Sequence, residues 1–327
     1  MKKGIIAIIS CISWGLHGQV ALPTFQAVQY SELYSFSSHT FTNCGATLYN
    51  GPTLANCKSS YNTSWEDDTK FFNVETQGFQ EWTVPANGTY SFVLKGASGG
   101  QGYTSGNSAN RGGYGSQVSG SITLTKGHVI KIVVGQKGAD SNGSSSCNGS
   151  SGGGGGGTFV YNNTTSTLLY AAGAGAGGAT RTTNSSIRDA SLTTTGKTSE
   201  GTSSGAGGTS GSGGAVAGGC VTVAGAGGGY SGSGASVTNA PGGTHFTTSA
   251  VGGNGSYRDG GFGGGGASGA WTGGGGGGYS GGGGGLLDCN CGNLSSGGGG
   301  SSYDSTSNAT ISLLSSSGHG QVTITRS

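Results

Sequence analysis

The sequence predicts an all-β protein: an antiparallel sandwich or barrel with a bundle of extended glycine runs inserted into it. Three observations carry that reading. Short stretches between residues 39 and 172 alternate apolar and polar side chains at the period of a strand. Over residues 173–300, glycine tracts alternate with Ser/Thr-rich loops and single aromatics, most densely in GGFGGGGASGAWTGGGGGGYSGGGGGLLDCNCGNLSSGGGG (260–300). A last alternating stretch, residues 321–325, returns after them, which places the glycine region inside the β topology.

The chain opens with Met1-Lys2-Lys3 and an apolar stretch, residues 4–16, too short to span a bilayer. Residues 1–18 therefore read as a secretory signal peptide, with cleavage near Gly18-Gln19. Lipidation at Cys11 is the alternative, and the apolar stretch before it is short for that. Residues 19–38 are polar and aromatic without a period, and read as a lead-in segment. HTFTNC (39–44) alternates like a strand. Gly51-Pro52 opens a short helix, with Pro52 in its first turn and Leu54, Cys57 and Tyr61 on one face.

QEWTV (80–84) is a strand ended by Pro85, and Ala86-Asn87-Gly88 is turn chemistry. Over residues 89–94, Tyr90, Phe92 and Leu94 share one face, with Ser91, Val93 and Lys95 on the other. Val118, Ile122 and Leu124 repeat the pattern, and Thr125-Lys126-Gly127 predicts a hairpin into HVIKIVVG (128–135). Residues 158–161, 168–172 and 321–325 complete the expected strands.

The glycine tracts admit two readings, a flexible linker or an ordered bundle. Ordering a backbone costs roughly 1–2 kcal/mol per residue, with glycine at the costly end, whereas one hydrogen bond returns about 1 kcal/mol net. A lone run of six glycines stays disordered. Many runs side by side offset the cost, because glycine lets backbones approach until N–H···O and Cα–H···O bonds form between them. In an extended threefold conformation a six-residue run is roughly 19 Å long. Similar run lengths and interspersed aromatics favour the bundle. Collagen is excluded, because 77 glycines accompany only 4 prolines and no Gly-X-Y period.

Only 8% of residues are charged. Loss of Lys2 and Lys3 with the signal leaves 12 of the 14 basic residues against 12 acidic ones, a neutral chain with no electrostatic footprint for nucleic acid or anionic lipid. Six cysteines remain after Cys11: Cys44, Cys57, Cys147, Cys220, Cys289 and Cys291. An even number in an exported chain makes all six disulfide candidates, with 15 pairings open. Cys44 with Cys57 is the one pair close enough in sequence to suggest itself. No zinc spacing occurs, no cofactor motif stands in a convincing βαβ or phosphate-loop context, and no nucleophile or kinase signature is found. The expectation is a protein without catalytic activity or cofactor.

HTFTNCGATLYNGPTLANC (39–57), FQEWTVPANGTYSFVLKGASGGQG (79–102), GSITLTKGHVIKIVVGQKG (120–138), GGGGGGTFVY (152–161), GGFGGGGASGAWTGGGGGGYSGG (260–282) and GHGQVTI (318–324) occur in that order. Together they resemble the extracellular glycine-rich region of the receptor tyrosine kinases anaplastic lymphoma kinase and leukocyte tyrosine kinase, from about residue 39 to the end. The resemblance implies a jelly roll like that of tumour necrosis factor, about residues 39–172 with a last strand in 318–327. It also implies a bundle of polyglycine-II helices over about 173–300 together with the run at 152–157. The receptors continue into an EGF-like module, a membrane helix and a kinase, none of which is found in this sequence, so the expectation is a stand-alone secreted homologue. They grip small basic cytokines through acidic residues just before the last strand, where residues 301–317 here carry one acid, Asp304.

The expected function is a secreted or cell-surface binding or adhesion module for an extracellular protein or glycan. A receptor ectodomain and a self-associating matrix or coat protein are the alternatives. Tyr257, Trp271 and Tyr279, isolated in glycine surroundings, are the candidate ligand contacts, with packing inside the bundle as the competing role. Ten Asn-X-Ser/Thr sequences, at Asn62, Asn87, Asn142, Asn148, Asn162, Asn163, Asn184, Asn254, Asn293 and Asn308, are glycan acceptors or chance in a Ser/Thr/Asn-rich chain.

Overall fold

Alternation becomes burial most simply in β4 (Gly88–Lys95), where Tyr90, Phe92 and Leu94 have no exposed surface while Ser91, Val93 and Lys95 stay half-exposed. In the computed structural model, residues 31–103, 110–142, 151–180, 185–201, 204–216, 218, 223–286 and 294–327 are described. The expected signal peptide, residues 19–30 of the lead-in, and Cys147, Cys220, Cys289 and Cys291 lie outside them.

Two antiparallel sheets form the β part. The first runs β1 (Ser38–Phe41), β11 (Gln321–Arg326), β4, β5 (Ser116–Leu124) and β10 (Thr310–Leu313) in spatial order. The second runs β2 (Phe72–Asn73), β3 (Phe79–Thr83), β6 (Val129–Val133), β7 (Thr158–Asn162), β8 (Thr167–Ala172) and β9 (Tyr303–Asp304). The last strand inserts between β1 and β4, with Val322 opposite Leu94 and Ile324 opposite Phe92. Trp82, Phe92, Ile130, Ile132, Val160, Tyr170 and Ile324 belong to the core between the sheets. Tyr34 and Phe36, in the expected lead-in, are buried in this same core.

Helix is scarce. α1 (Leu54–Ser60) begins after Pro52, which the sequence places in its first turn: Thr53 is the cap, in a reciprocal capping box with Asn56. Cys57 on α1 is disulfide-bonded to Cys44, just past β1. α2 (Ser185–Arg188) is a single turn.

The hairpin expected at Thr125-Lys126-Gly127 is not one. β5 pairs with β4 and β10, and β6 with β3 and β7, so the chain crosses between sheets at this turn. Its backbone is held by the neighbouring crossover: Gly127 N–H donates to the Val84 carbonyl at 2.9 Å and Lys126 N–H to Asn87 Oδ1 at 2.7 Å. A glycine turn at φ +81° is compatible with either outcome, and burial of both strands in opposite sheets decides between them. β2, β9 and β10 have two to four residues each, too few for a period to show.

Strands run directly into glycine backbone. Residues 96–102 continue β4, 112–115 lead into β5, 135–139 continue β6, 152–157 lead into β7 and 173–179 continue β8. These stretches lie beside the later runs, and their hydrogen bonds have a period of three. Gly152 and Gly155 donate to Gly178 and Gly175, Gly153 and Gly156 to Ala139 and Gln136, and Gly154 and Gly157 to Gly266 and Gly263. The run at 273–278 repeats this, with Gly273 and Gly276 donating to Ser295 and Gly298, Gly274 and Gly277 to Gly152 and Gly155, and Gly275 and Gly278 to Gly225 and Gly228. All twelve bonds measure 2.8–3.2 Å. A ladder between strands returns to the same partner at every second residue, and an α-helix bonds within its own segment. Here each run bonds outward in three directions. The spacing leaves no room for a side chain: a Cβ on Gly154 would lie 1.9 Å from the Gly275 carbonyl oxygen.

Phe262 wedges the two parts together. It is fully buried, its N–H donates to the Leu48 carbonyl, and its ring fills the space beside Gly51 and Gly78 of the β part.

Candidate functional site

The second sheet is covered on its inner face and on part of its outer face. Its inner face belongs to the sandwich core; its outer face carries a second apolar cluster of Phe79, Val133, Phe159, Leu168 and Ala171, completed by Phe246, Ala250 and Phe262 from the glycine region. Alternation explains the division on β3 and β7: Trp82 and Val160 point inward, Phe79, Phe159 and Tyr161 outward.

Phe246 is set by a tight turn in which the His245 carbonyl accepts from the N–H groups of Thr248, Ser249 and Ala250. Ala250 holds φ +53°, and its carbonyl accepts from Gly263 and Gly264. The turn thereby presses Phe246 onto the sheet and leaves Thr247 and Thr248 exposed. The Phe246 ring lies 5.5 Å from Phe79, 4.9 Å from Phe159 and 5.6 Å from Tyr161, centre to centre.

From Phe246 a stack of rings extends along the face. Tyr230 stacks on Phe246 at 5.7 Å, Tyr279 follows Tyr230 at 6.4 Å, and Tyr303 of β9 follows Tyr279 at 4.5 Å, each pair within 22° of parallel. Tyr161, Tyr230, Tyr279 and Tyr303 are all half-buried. Burial raises the Tyr230 pKa above the ordinary phenol value, and the neighbouring phenols of Tyr161, Tyr279 and Tyr303 raise it further.

Beside this row a cleft of about 220 Å³ opens between the Phe246 turn and the sheet. Phe79 and Phe246 form its apolar floor and Tyr161 a wall. Thr76, Asn163, Thr247 and Thr248 form an exposed hydroxyl and amide rim. Lys131 also lines it and is paired with Glu81 at 3.4 Å. Among the described residues no three His, Cys, Asp or Glu side chains converge to hold a metal ion.

The three sequence-level contact candidates separate. Tyr279 enters the ring stack. Tyr257 and Trp271 are half-buried in other turns of the glycine region and do not join it. Tyr230 and Phe246 carry the same signal as Tyr279, an aromatic isolated among small residues, and that signal would have found them. Tyr161 and Tyr303 have no such mark, because each sits in an ordinary strand.

No protein-family model matches the chain. Among curated proteins, a stretch of 101 residues is 35% identical to the leukocyte tyrosine kinase receptor of Mus musculus, covering 31% of this chain and 11% of the receptor. The chain thus matches about a tenth of that relative's length, and the similarity stands as a distant one.

Proposed function

We propose that this chain is a secreted or cell-surface, non-catalytic binding module. On this reading the two sheets are a jelly roll, and the glycine runs are polyglycine-II helices packed side by side. The facing antiparallel sheets with crossovers between them support the first. The period-three bonding at 152–157 and 273–278 supports the second. The observation that carries the functional reading is the tyrosine row with its cleft: an accessible aromatic face built on backbone that is bonded on every side, hence preorganised. Among the described residues no helix is long and apolar enough to cross a membrane.

A second reading, the ligand-binding part of a receptor protein-tyrosine kinase, is favoured by the similarity to the mouse receptor. The two separate on what is bound. Fluorescently labelled protein is expected to adhere to cell or matrix surfaces, with adhesion reduced by Tyr303→Ala. Nanomolar capture of a soluble basic cytokine, measured by surface plasmon resonance, would favour the receptor reading instead. Concentration-dependent polymerisation in light scattering, without surface adhesion, would replace both with a matrix or coat protein.

A further inference from the structure

The composition of the cleft selects among ligand classes, and the inference drawn from it deepens the binding-module reading and rests on it. Its floor and wall are aromatic, while its rim is neutral, made of threonine hydroxyls and the Asn163 amide. Lys131, the only charged side chain lining it among the described residues, is balanced by Glu81. A phosphate, sulfate or carboxylate ligand would find no unpaired cation here, and a cationic ligand no unpaired carboxylate. A peptide adding as a further strand would need a free edge, but β3, β6 and β7 beneath the cleft each have a neighbour on both sides.

Size narrows the choice further. Pockets that enclose a whole small molecule run to about 300–1,000 Å³; at about 220 Å³ this one takes a single ring of a longer chain. A pyranose ring has an apolar C–H face that packs on an aromatic ring, and hydroxyls round its edge. Those hydroxyls both donate and accept, as do threonine and asparagine side chains. The row Tyr230, Tyr279, Tyr303 continues from Phe246 away from the cleft, offering ring edges and phenolic hydroxyls to the units that follow. We propose that the cleft and the tyrosine row bind a neutral saccharide chain, with one pyranose ring seated against Tyr161 between Asn163 and the Thr247–Thr248 turn.

The test uses the folded protein produced without N-glycosylation, because Asn163 begins an Asn-Thr-Thr acceptor sequence. Calorimetric titration with neutral oligosaccharides of glucose, mannose, galactose and N-acetylglucosamine is expected to find at least one that binds. A sulfated polysaccharide is expected not to compete with it. Tyr161→Ala should weaken binding roughly tenfold or more, the effect of losing one aromatic contact. Asn163→Ala, at an exposed position, should weaken it too while leaving the thermal midpoint unchanged. Thr247→Val should also weaken it, with its midpoint measured alongside because the Thr247 hydroxyl lies 2.8 Å from the His245 ring. Absence of binding to any neutral saccharide overturns the inference, as does binding that all three substitutions leave intact. Periodate oxidation of the target surface separates the two proposals. Adhesion abolished by periodate supports the saccharide; adhesion that survives periodate removes it and keeps the binding module; adhesion to no surface removes both.

Discussion

The sandwich and the glycine bundle solve the same problem with opposite means. In the sandwich, large side chains such as Trp82, Phe92 and Ile130 exclude water, and the backbone is satisfied by ladders at the sheet spacing. In the bundle, side chains are nearly absent, and backbones bond to several neighbours at a separation that only glycine tolerates. The first region is therefore sensitive to removing atoms and the second to adding them. The chain is continuous between the two, since five strands run into glycine stretches, so neither is expected to melt alone.

The largest expected effect comes from adding atoms to the bundle. Gly275 donates to the Gly225 carbonyl and accepts from Gly266. A Cβ at this position would lie 2.4 Å from the Gly282 oxygen and 2.6 Å from the Gly227 nitrogen, between two atoms that are themselves hydrogen-bonded at 2.9 Å. Gly275→Val thus threatens three buried bonds, each costing roughly 1–3 kcal/mol when left unmade. The purified protein should melt well below the parent in a thermal scan, or fail to fold. A midpoint unchanged or raised would mean that this run is a linker, for which valine is neutral or slightly stabilising.

Removing atoms from the sandwich comes next. Phe92 is fully buried on β4 and lies 5.7 Å from Tyr170 across the core. Phe92→Ala should cost about 3–5 kcal/mol, the usual range for deleting a buried aromatic. Urea unfolding measures it. An effect larger than that of Gly275→Val would make the sandwich, not the bundle, the more sensitive region.

How much of this was legible in the sequence follows the same division. Side-chain periodicity gives away the strands of the sandwich, because water on one face and core on the other impose alternation on β4 and β11. β8 is expected at 168–172 and found there, but its Leu168, Leu169, Tyr170 and Ala171 are all buried, so its sequence does not say which face meets the core and which the bundle. Periodicity is silent again at Lys126-Gly127, where a turn's local chemistry does not say which sheet the next strand joins. Glycine runs reveal close backbone approach but not their neighbours, since identical residues carry no register. The cleft was invisible for a related reason: sheet pairing sets Lys131 beside Tyr161, but Phe246, Thr247 and Thr248 come from a distant stretch and reach them only because the bundle folds back on the sheet.

A smaller effect depends on pH and tests the sandwich end farthest in character from the bundle. His39 on β1 meets Phe41, Tyr61 and Trp65 edge-on at 4.6–5.0 Å, and its Nε2 is buried without a partner. Burial lowers its pKa from 6.5 to about 4, against the opposing pull of Glu66. The folded chain therefore keeps the ring neutral while the unfolded chain protonates it below about pH 6.5. Stability from this group is complete above that value, falls as pH drops, and is lost by about pH 4. His319, lowered by burial and by Lys137, acts in the same direction. In urea titrations at pH 7.5 and 5, His39→Phe should shrink the acid-induced loss without abolishing it. An undiminished loss would show that His39 does not carry it.

The smallest expected effect separates glycine as composition from glycine as packing. Gly318 stands outside the bundle, just before β11, and a Cβ built on it meets nothing within 4 Å. Its φ is not positive, so alanine adopts its conformation without strain. The bonds it makes, from its N–H to Ser98 Oγ at 3.0 Å and from Ser98 N–H to its carbonyl at 3.0 Å, use backbone atoms that alanine retains. What remains is the unfolded state, in which glycine has more conformations to lose than alanine. Gly318→Ala should therefore leave the protein as stable as the parent or raise its stability by about 0.4–1 kcal/mol. At Gly154 the same one-carbon addition places an atom 1.9 Å from a carbonyl oxygen, and Gly154→Ala should destabilise. If both substitutions prove neutral in thermal scans, close approach does not hold the bundle together. If both destabilise, glycine is required here for a reason other than space. Opposite signs at the two positions would establish that the runs are glycine because backbone packs against backbone.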